Sequence, residues 1–193
     1  MPFSIESQHL NGLIVLRSDI HSDDRGHFME VFRSDQFSSL GLPTSFPQDN
    51  QSRSGKDVLR GLHFQWDPPQ GKLVRVCYGK AFLGIVDIRK KSPSFGRWFG
   101  REISADSGIL VWVPPGFANG FCALSDIVDV QYKCTAMYNP AAEGSLRWND
   151  PDIGIRWPVE HPILSPKDTA ARLLKEWLSM AQSDLFVYPS ISD

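Results

Sequence analysis

The chain has 193 residues, the length of a single domain at about 150 residues per domain. With 41% apolar and 22% charged residues it can build a sizeable core and is not a disordered chain. Twenty Lys and Arg against 22 Asp and Glu give a net charge of -2 with no basic run, so a surface that tracks nucleic acid or an anionic membrane is not expected. Cys77, Cys122 and Cys134 lack CxxC spacing, which argues against both a disulfide framework and a zinc site. No run of eighteen apolar residues occurs, and Met1-Pro-Phe-Ser-Ile-Glu-Ser7 lacks the basic-then-apolar pattern of a leader. The expectation is a soluble, cytoplasmic protein with reduced cysteines.

The 15 glycines and 14 prolines fall between short apolar or alternating runs, the punctuation of a many-stranded β protein rather than of a helical bundle. The first candidate strand is 13–16. A second, 28–33, follows the charged turn Asp24-Arg25-Gly26 and places Phe28, Glu30 and Phe32 on one face. A carboxylate between two aromatics fits a solvated edge strand as well as it fits a ligand contact. Ser34-Asp-Gln-Phe-Ser-Ser-Leu40, followed by Gly41, reads as a short helix with an N-cap and a glycine stop.

In the strand 58–65, strict alternation puts Leu59, Gly61, His63 and Gln65 on one face and Arg60, Leu62 and Phe64 on the other. A histidine in a mostly apolar strand is more often a hydrogen-bonded structural residue than a catalyst. Gly61 shifts that balance, because a glycine permits a bulge that would bring the Arg60 guanidinium to the same space. Lys72 then stands at the mouth of the strand 73–78, directly after the Pro68-Pro69 turn, a place where lysine is ordinarily solvated. Further strands are expected at 81–88, 98–103, 109–113 and 120–124. The strand 127–135 sets Val128, Val130, Tyr132 and Cys134 against Asp129, Gln131 and Lys133. Tyr132 therefore points inward, where its hydroxyl either bonds a backbone carbonyl or faces a polar cavity. At 169–181, Ala170, Leu173, Leu174, Trp177, Leu178 and Ala181 share one stripe, the pattern of an amphipathic helix packed outside the strands. So many short strands, with no repeat or linker between them, imply one all-β domain over 1–193, a closed barrel or sandwich.

His9, His21, His27, His63 and His161 form no HxH or HxxxH pair, so a metal site is not expected. There is no GxGxxG or GxxxxGK loop for a dinucleotide or a nucleoside triphosphate. What remains is a site without metal or cofactor that uses histidine and tyrosine.

The sequence resembles the dTDP-4-dehydrorhamnose 3,5-epimerase family between about Leu13 and Asp168. The resemblance runs in the family's order through Asp24-x-Gly26-x-Phe28-x-Glu30, Gln48-Asp-Asn50, Leu59-Arg-Gly-Leu-His-Phe-Gln65, Lys72-Leu-Val-Arg-Val76, Asp87-Ile-Arg89 and Ser92-Pro-Ser-Phe-Gly96. It continues through Val113-Pro-Pro-Gly-Phe117, Tyr132-Lys-x-Thr135, Tyr138-x-Pro140, Trp148-Asn-Asp-Pro151 and Lys167-Asp168. It implies a cupin-type jelly-roll barrel with a few short peripheral helices, acting on a nucleotide-diphosphate-linked keto-sugar. By the same resemblance His63 is the general base, Asp168 the carboxylate that orients it, Tyr132 the proton donor and Tyr138 the aromatic that stacks on the thymine ring. Arg25, Glu30, Gln48, Asn50, Arg60, Lys72, Glu143 and Lys167 match positions that line the site. It also implies a homodimer in which Arg25 and Glu30 reach the partner's site.

The chemistry of these residue types agrees with that reading. A ketone at C4 of a sugar acidifies the hydrogens on C3 and C5, so a neutral imidazole can remove one if a cation such as Lys72 stabilises the enolate oxygen. A carboxylate behind the histidine fixes its tautomer. One departure stands out: in Pro114-Pro-Gly-Phe-Ala-Asn-Gly-Phe121, Asn119 occupies the place of a family histidine. An amide keeps hydrogen bonding but cannot carry a proton on and off. That leaves open which sugar and nucleotide are used and whether both carbons are inverted. A catalytically silent sugar-nucleotide binding module is a third reading, disfavoured by the presence of His63, Asp168 and Tyr132 together.

Overall fold

The computed structural model describes residues 2–188. Its strands are β1 (Phe3–His9), β2 (Leu13–Ser18), β3 (Ile20–Asp23), β4 (Gly26–Met29), β5 (Gln48–Gly55), β6 (Leu59–Gln65) and β7 (Lys72–Tyr78), followed by β8 (Lys80–Asp87), β9 (Trp98–Ser104), β10 (Ile109–Val113), β11 (Phe117–Ala123), β12 (Ile127–Cys134) and β13 (Glu143–Ser145). They form a six-stranded sheet in the order β1-β2-β10-β7-β12-β5 and a five-stranded sheet in the order β13-β6-β11-β8-β9. A separate two-stranded ribbon pairs β3 with β4. The helices are short: α1 (Ser34–Ser39), α2 (Pro166–Thr169) and α3 (Leu174–Leu178).

Alternation decides where each strand's residues go. The inward residues of both large sheets, among them Val74, Val76, Leu83, Ile85, Val111, Phe117, Phe121 and Val130, merge into one core between the sheets. The outward face of the five-stranded sheet, with Leu62, Phe64, Val86 and Ala118, is covered by the C-terminal segment through Leu174, Trp177 and Phe186. The outward face of the six-stranded sheet, with Phe3, Leu16, Leu73, Leu110 and Trp112, is covered by Phe37 of α1. This is an all-β, cupin-type jelly-roll barrel with short helices at its periphery.

Several expectations need correction. The strand expected at 28–33 ends at Met29, so Phe28, Glu30 and Phe32 do not share one strand face, and Phe28 is exposed on the ribbon. The helix at 34–39 has Arg33 rather than a side-chain-capping serine at its N-cap, while Gly41 (φ +70°) does terminate it. The single helix expected at 169–181 is broken into α2, α3 and a 3-10 turn at Ala181–Leu185. Its residues 170–173 are pulled out of helix by tertiary hydrogen bonds: Arg172 bridges Leu146 in parallel, and its carbonyl accepts from Arg147 N–H at 2.7 Å. The buried Asp150 carboxylate then accepts from Leu174 N–H at 2.6 Å, and Glu176 caps Leu173 N–H at 2.7 Å. Leu174 and Trp177 are buried as the stripe requires, but Ala170 and Ala181 are exposed. Strands β1, β3, β5 and β13 were not anticipated.

The motif Asp87-Ile-Arg89 with Ser92-Pro-Ser94 has a structural job. The fully buried Asp87 carboxylate accepts from Arg89 Nε at 2.9 Å, Ser92 Oγ at 2.6 Å and Ser94 Oγ at 2.7 Å. The guanidinium stacks on Phe117 and Tyr188 and donates to the Leu10 carbonyl at 2.9 Å. A buried ion pair with its hydrogen bonds satisfied in this way joins β8, the β1-β2 turn and the C-terminal segment.

Candidate active site

Between the two sheets, where edge strand β5 faces β6 and β13, the core gives way to a polar cavity. The cause is local. Alternation turns Gln48, Asn50, Ser52 and Ser54 of β5 inward, so this flank supplies hydrogen-bonding groups where other strands supply Val and Leu. The cavity has two lobes, of about 280 and 240 Å³, which share His63, Lys72, Tyr132 and Glu143 as walls. The outer lobe adds Gln48, Asn50, Gln65, Gln70 and Tyr138. The inner lobe adds Ser52, Arg60, Asn119 and the apolar Val74, Leu83, Phe121 and Val130.

The expected bulge sits in β6. Asn119 pairs with His63 and Phe121 with Arg60, so three steps along β6 match two along β11. This extra residue brings Arg60 and His63, which strict alternation would separate, into the same lobe. Glycine is required on both strands: a Cβ at Gly61 (φ +136°) would lie 2.5 Å from Gly120 Cα, and one at Gly120 would lie 2.6 Å from the Arg60 carbonyl oxygen.

His63 is tied to α2. Its Nε2 donates to Asp168 Oδ1 at 2.6 Å, leaving Nδ1 as the nitrogen with a free lone pair. Ser165 Oγ donates to the second Asp168 oxygen at 2.8 Å and accepts from Asp168 N–H at 3.1 Å, so the carboxylate is held at both ends. Burial opposes the charge on Asp168, but the bonds from His63 and Ser165 outweigh it and hold the carboxyl below its ordinary value.

On the opposite sheet, Tyr132 of β12 and Lys72 of β7 are register neighbours: Tyr132 pairs with Val74, and Cys134 with Lys72. Lys72 Nζ lies 5.5 Å from the centre of the Tyr132 ring. Burial pushes the Tyr132 phenol up, so it stays protonated at neutral pH, and burial lowers Lys72. The Tyr132 hydroxyl makes no hydrogen bond to another described residue. Of the two options left by the sequence, it is the cavity that it faces.

The mouth is closed by a second charged cluster. Glu143 accepts from Tyr138 Oη at 2.8 Å and pairs with Lys167 Nζ at 2.5 Å. Burial again opposes its charge, and the bonds from Lys167 and Tyr138 keep the carboxyl below its usual value. Tyr138 is itself half exposed, and its backbone N–H donates to Gln48 Oε1 at 2.7 Å. Gln48 in turn donates to Asn50 Oδ1 at 3.1 Å. Arg60 donates from Nε to Ser54 Oγ at 3.0 Å, which fixes its guanidinium along the β5 flank.

Most of the anticipated residues therefore meet here: His63, Asp168, Tyr132, Lys72, Gln48, Asn50, Arg60, Asn119, Tyr138, Glu143 and Lys167. Arg25 and Glu30 do not. Arg25 lies at the exposed tip of the β3-β4 ribbon, paired with Asp23 at 2.5 Å, and Glu30 follows β4 with Arg33 at 3.5 Å. Ser52, Gln65, Gln70 and Phe121 line the cavity but were not singled out in advance. Gln65 is a buried anchor, donating to the Pro68 and Met137 carbonyls at 2.9 and 3.0 Å and accepting from Asn139 N–H at 2.8 Å, which positions the loop carrying Tyr138. Ser52 Oγ is buried without a hydrogen-bond partner among the described residues. Among those residues no group of three His, Cys, Asp or Glu side chains could hold a metal ion.

A cavity with a carboxylate-bound histidine on one wall and a phenol and an ammonium on the other invites comparison with known proteins. The family model described as dTDP-4-dehydrorhamnose 3,5-epimerase matches residues 7–176. A dTDP-4-dehydrorhamnose 3,5-epimerase of Neisseria gonorrhoeae is 46% identical over 185 residues, covering 93% of this chain and 56% of that protein. One of Methanothermobacter thermautotrophicus is 46% identical over 170 residues, covering 86% of this chain and 92% of that protein. The crystal structure of dTDP-6-deoxy-D-glucose-3,5-epimerase from Legionella pneumophila, in complex with dTDP-4-keto-L-rhamnose, is 43% identical and superposes with a TM-score of 0.91 over 97% of this chain and 100% of that one. With the family model matched over residues 7–176, relatives 46% identical over most of the chain and a solved fold superposing at this level, the chain belongs to the dTDP-4-dehydrorhamnose 3,5-epimerase family and is an isomerase of that family.

Proposed function

We propose that the epimerisation of a dTDP-linked 4-keto-6-deoxy sugar at C3 and C5, the activity of this family, is carried out here by His63 and Tyr132 acting from opposite walls. The observation that carries this reading is the 2.6 Å contact of His63, on the five-stranded sheet, with Asp168 of α2, and Tyr132 on the facing six-stranded sheet of the same cavity. His63 Nδ1 removes a proton from the carbon beside the ketone. Lys72 stabilises the enolate oxygen, and Asp168 stabilises the imidazolium that forms. A proton returned by Tyr132 arrives from the other face, which inverts the carbon. Tyr138 stacks on the thymine ring at the mouth. Arg60 takes the diphosphate, since a guanidinium matches phosphate oxygens bidentately and stays charged at any working pH.

The ribbon supports a homodimer. Residues 21–28 are all exposed, Phe28 among them, and a lone two-stranded ribbon is marginal in water. Packed on a second copy it carries Arg25 and Glu30 toward that copy's cavity. Sedimentation showing a monomer at micromolar concentration would refute this. No helix among the described residues is long and apolar enough to cross a membrane. The three cysteines are unpaired, which fits the reducing cytoplasm.

Turnover of a panel of nucleotide-linked 4-keto-6-deoxy sugars in deuterated water tests the reading. Label at both C3 and C5 of the dTDP sugar is expected. Label at one carbon, or only on another nucleotide, would establish the alternative that Asn119 favours, a single-centre epimerase or one with a different nucleotide sugar. Binding with no label at all would show a silent binding module.

A further inference from the structure

The two carbons that flank the ketone of such a substrate differ in what they carry: C3 bears a hydroxyl, whereas C5 bears a methyl group and the ring oxygen. The inner lobe offers two matching surfaces. Val74, Leu83, Phe121 and Val130 make an apolar floor suited to the methyl group. On the wall that carries the base, Asn119 is the uncharged polar side chain that lines this lobe. It is the register partner of His63, so the two side chains stand side by side on the same face of the sheet, with Cβ atoms about 5 Å apart. Arg60 on that wall is bonded to Ser54, Glu143 to Lys167 and Tyr138, and His63 to Asp168. The Asn119 amide, in contrast, makes no hydrogen bond with another described side chain.

We propose that Asn119 is a specificity-determining residue that holds the C3 hydroxyl beside His63 and so selects C3 for deprotonation. An amide offers both a donor and an acceptor, so it can stay bonded to the hydroxyl as the carbon inverts. Unlike an imidazole it adds no second base next to His63. C5 has no hydroxyl and is positioned by the apolar floor instead, independently of Asn119. This inference rests on the epimerase reading given above.

The test compares wild type with Asn119→Leu, similar in size but without hydrogen bonding, and with Asn119→Ala, in case leucine disturbs the strand. The readout is the ratio of deuterium at C3 to deuterium at C5 during turnover in deuterated water. Loss of a hydrogen bond that serves one carbon should lower this ratio by about tenfold in both variants while C5 exchange is largely kept. A general disturbance of β11 or of His63 slows both carbons together and leaves the ratio alone. An unchanged ratio, or one shifted toward C3, would overturn the proposal. Absence of label in wild type would instead defeat the epimerase reading, so the two failures are distinguishable.

Discussion

The two walls of the cavity are built to opposite specifications. On the five-stranded sheet His63 is immobilised: its ring bonds Asp168, Asp168 bonds Ser165, and α2 carries both from outside the barrel. On the six-stranded sheet Tyr132 is packed by its ring against the core, with Lys72 near that ring, and its hydroxyl has no bonded partner among the described residues. On the mechanism proposed above, the difference reflects the two proton transfers. A base must present one tautomer in one orientation before the substrate arrives, and the carboxylate supplies that constraint. A donor must release its proton to a carbon, and a phenol already engaged with the protein would be held back from doing so. Two sheets facing each other across a polar cavity are a direct way to place an acid and a base on opposite sides of one ring.

Breaking the fixed wall should have the largest effect. His63→Ala is expected to lose both epimerisation and exchange of substrate hydrogens with deuterated water, by at least the 10²–10⁴-fold typical of a general base. Residual exchange would identify another base, with Lys72 the nearest candidate. Asp168→Asn keeps a hydrogen-bonding partner but loses the charge. Its kcat should fall on the order of 10²-fold, between wild type and His63→Ala. The same variant sharpens the energetics. The Asp168 carboxyl is held below its ordinary value in the folded state, so its stabilising contribution is complete above about pH 4 and is lost as the pH falls through the lowered value. Acid titration of stability should therefore be shallower in Asp168→Asn than in wild type.

Smaller effects test the framework beneath that wall. Gly61→Ala forces a Cβ into the backbone of Gly120 at a positive φ, and urea denaturation should show a loss of about 1–3 kcal/mol, with weaker nucleotide binding as Arg60 is displaced. Ser165→Ala removes both the α2 cap and the second anchor of Asp168. A loss of about 1 kcal/mol in stability is expected, together with a drop in kcat that leaves KM nearly unchanged.

How much of this was legible beforehand varied with the kind of signal. Strands with a buried face, such as 73–78, 81–88 and 109–113, announce themselves by apolar runs, and observed boundaries agree within a residue. Strand β5 did not, because its inward residues Gln48, Asn50, Ser52 and Ser54 are polar, the first three lining the cavity, and carry no hydrophobic period. The strand most important to the site is thus the one that periodicity cannot see, although its alternation of polar side chains into a cleft is the trace it leaves. The bulge at Gly61 was readable as a possibility from glycine alone, but its size depends on Gly120, a residue of another strand. The C-terminal helix failed for a related reason: its amphipathic stripe is real, yet Asp150 and Arg147, distant in sequence, take its backbone hydrogen bonds. The roles of Asp168 and Lys167 came from the family resemblance, since nothing local in Ser165-Pro-Lys-Asp168 says that one side chain reaches the histidine and the other reaches Glu143.

The most direct test of opposite-wall proton transfer is Tyr132→Phe in deuterated water, with label at C3 and C5 and the configuration at each carbon followed together. Phenylalanine keeps the ring that packs against the core, so folding should be little changed. With His63 intact and the donor gone, the account predicts that substrate hydrogens still exchange while inversion falls on the order of 10²-fold, because the enolate is reprotonated from the face it lost its proton to. Full inversion at the wild-type rate would contradict it.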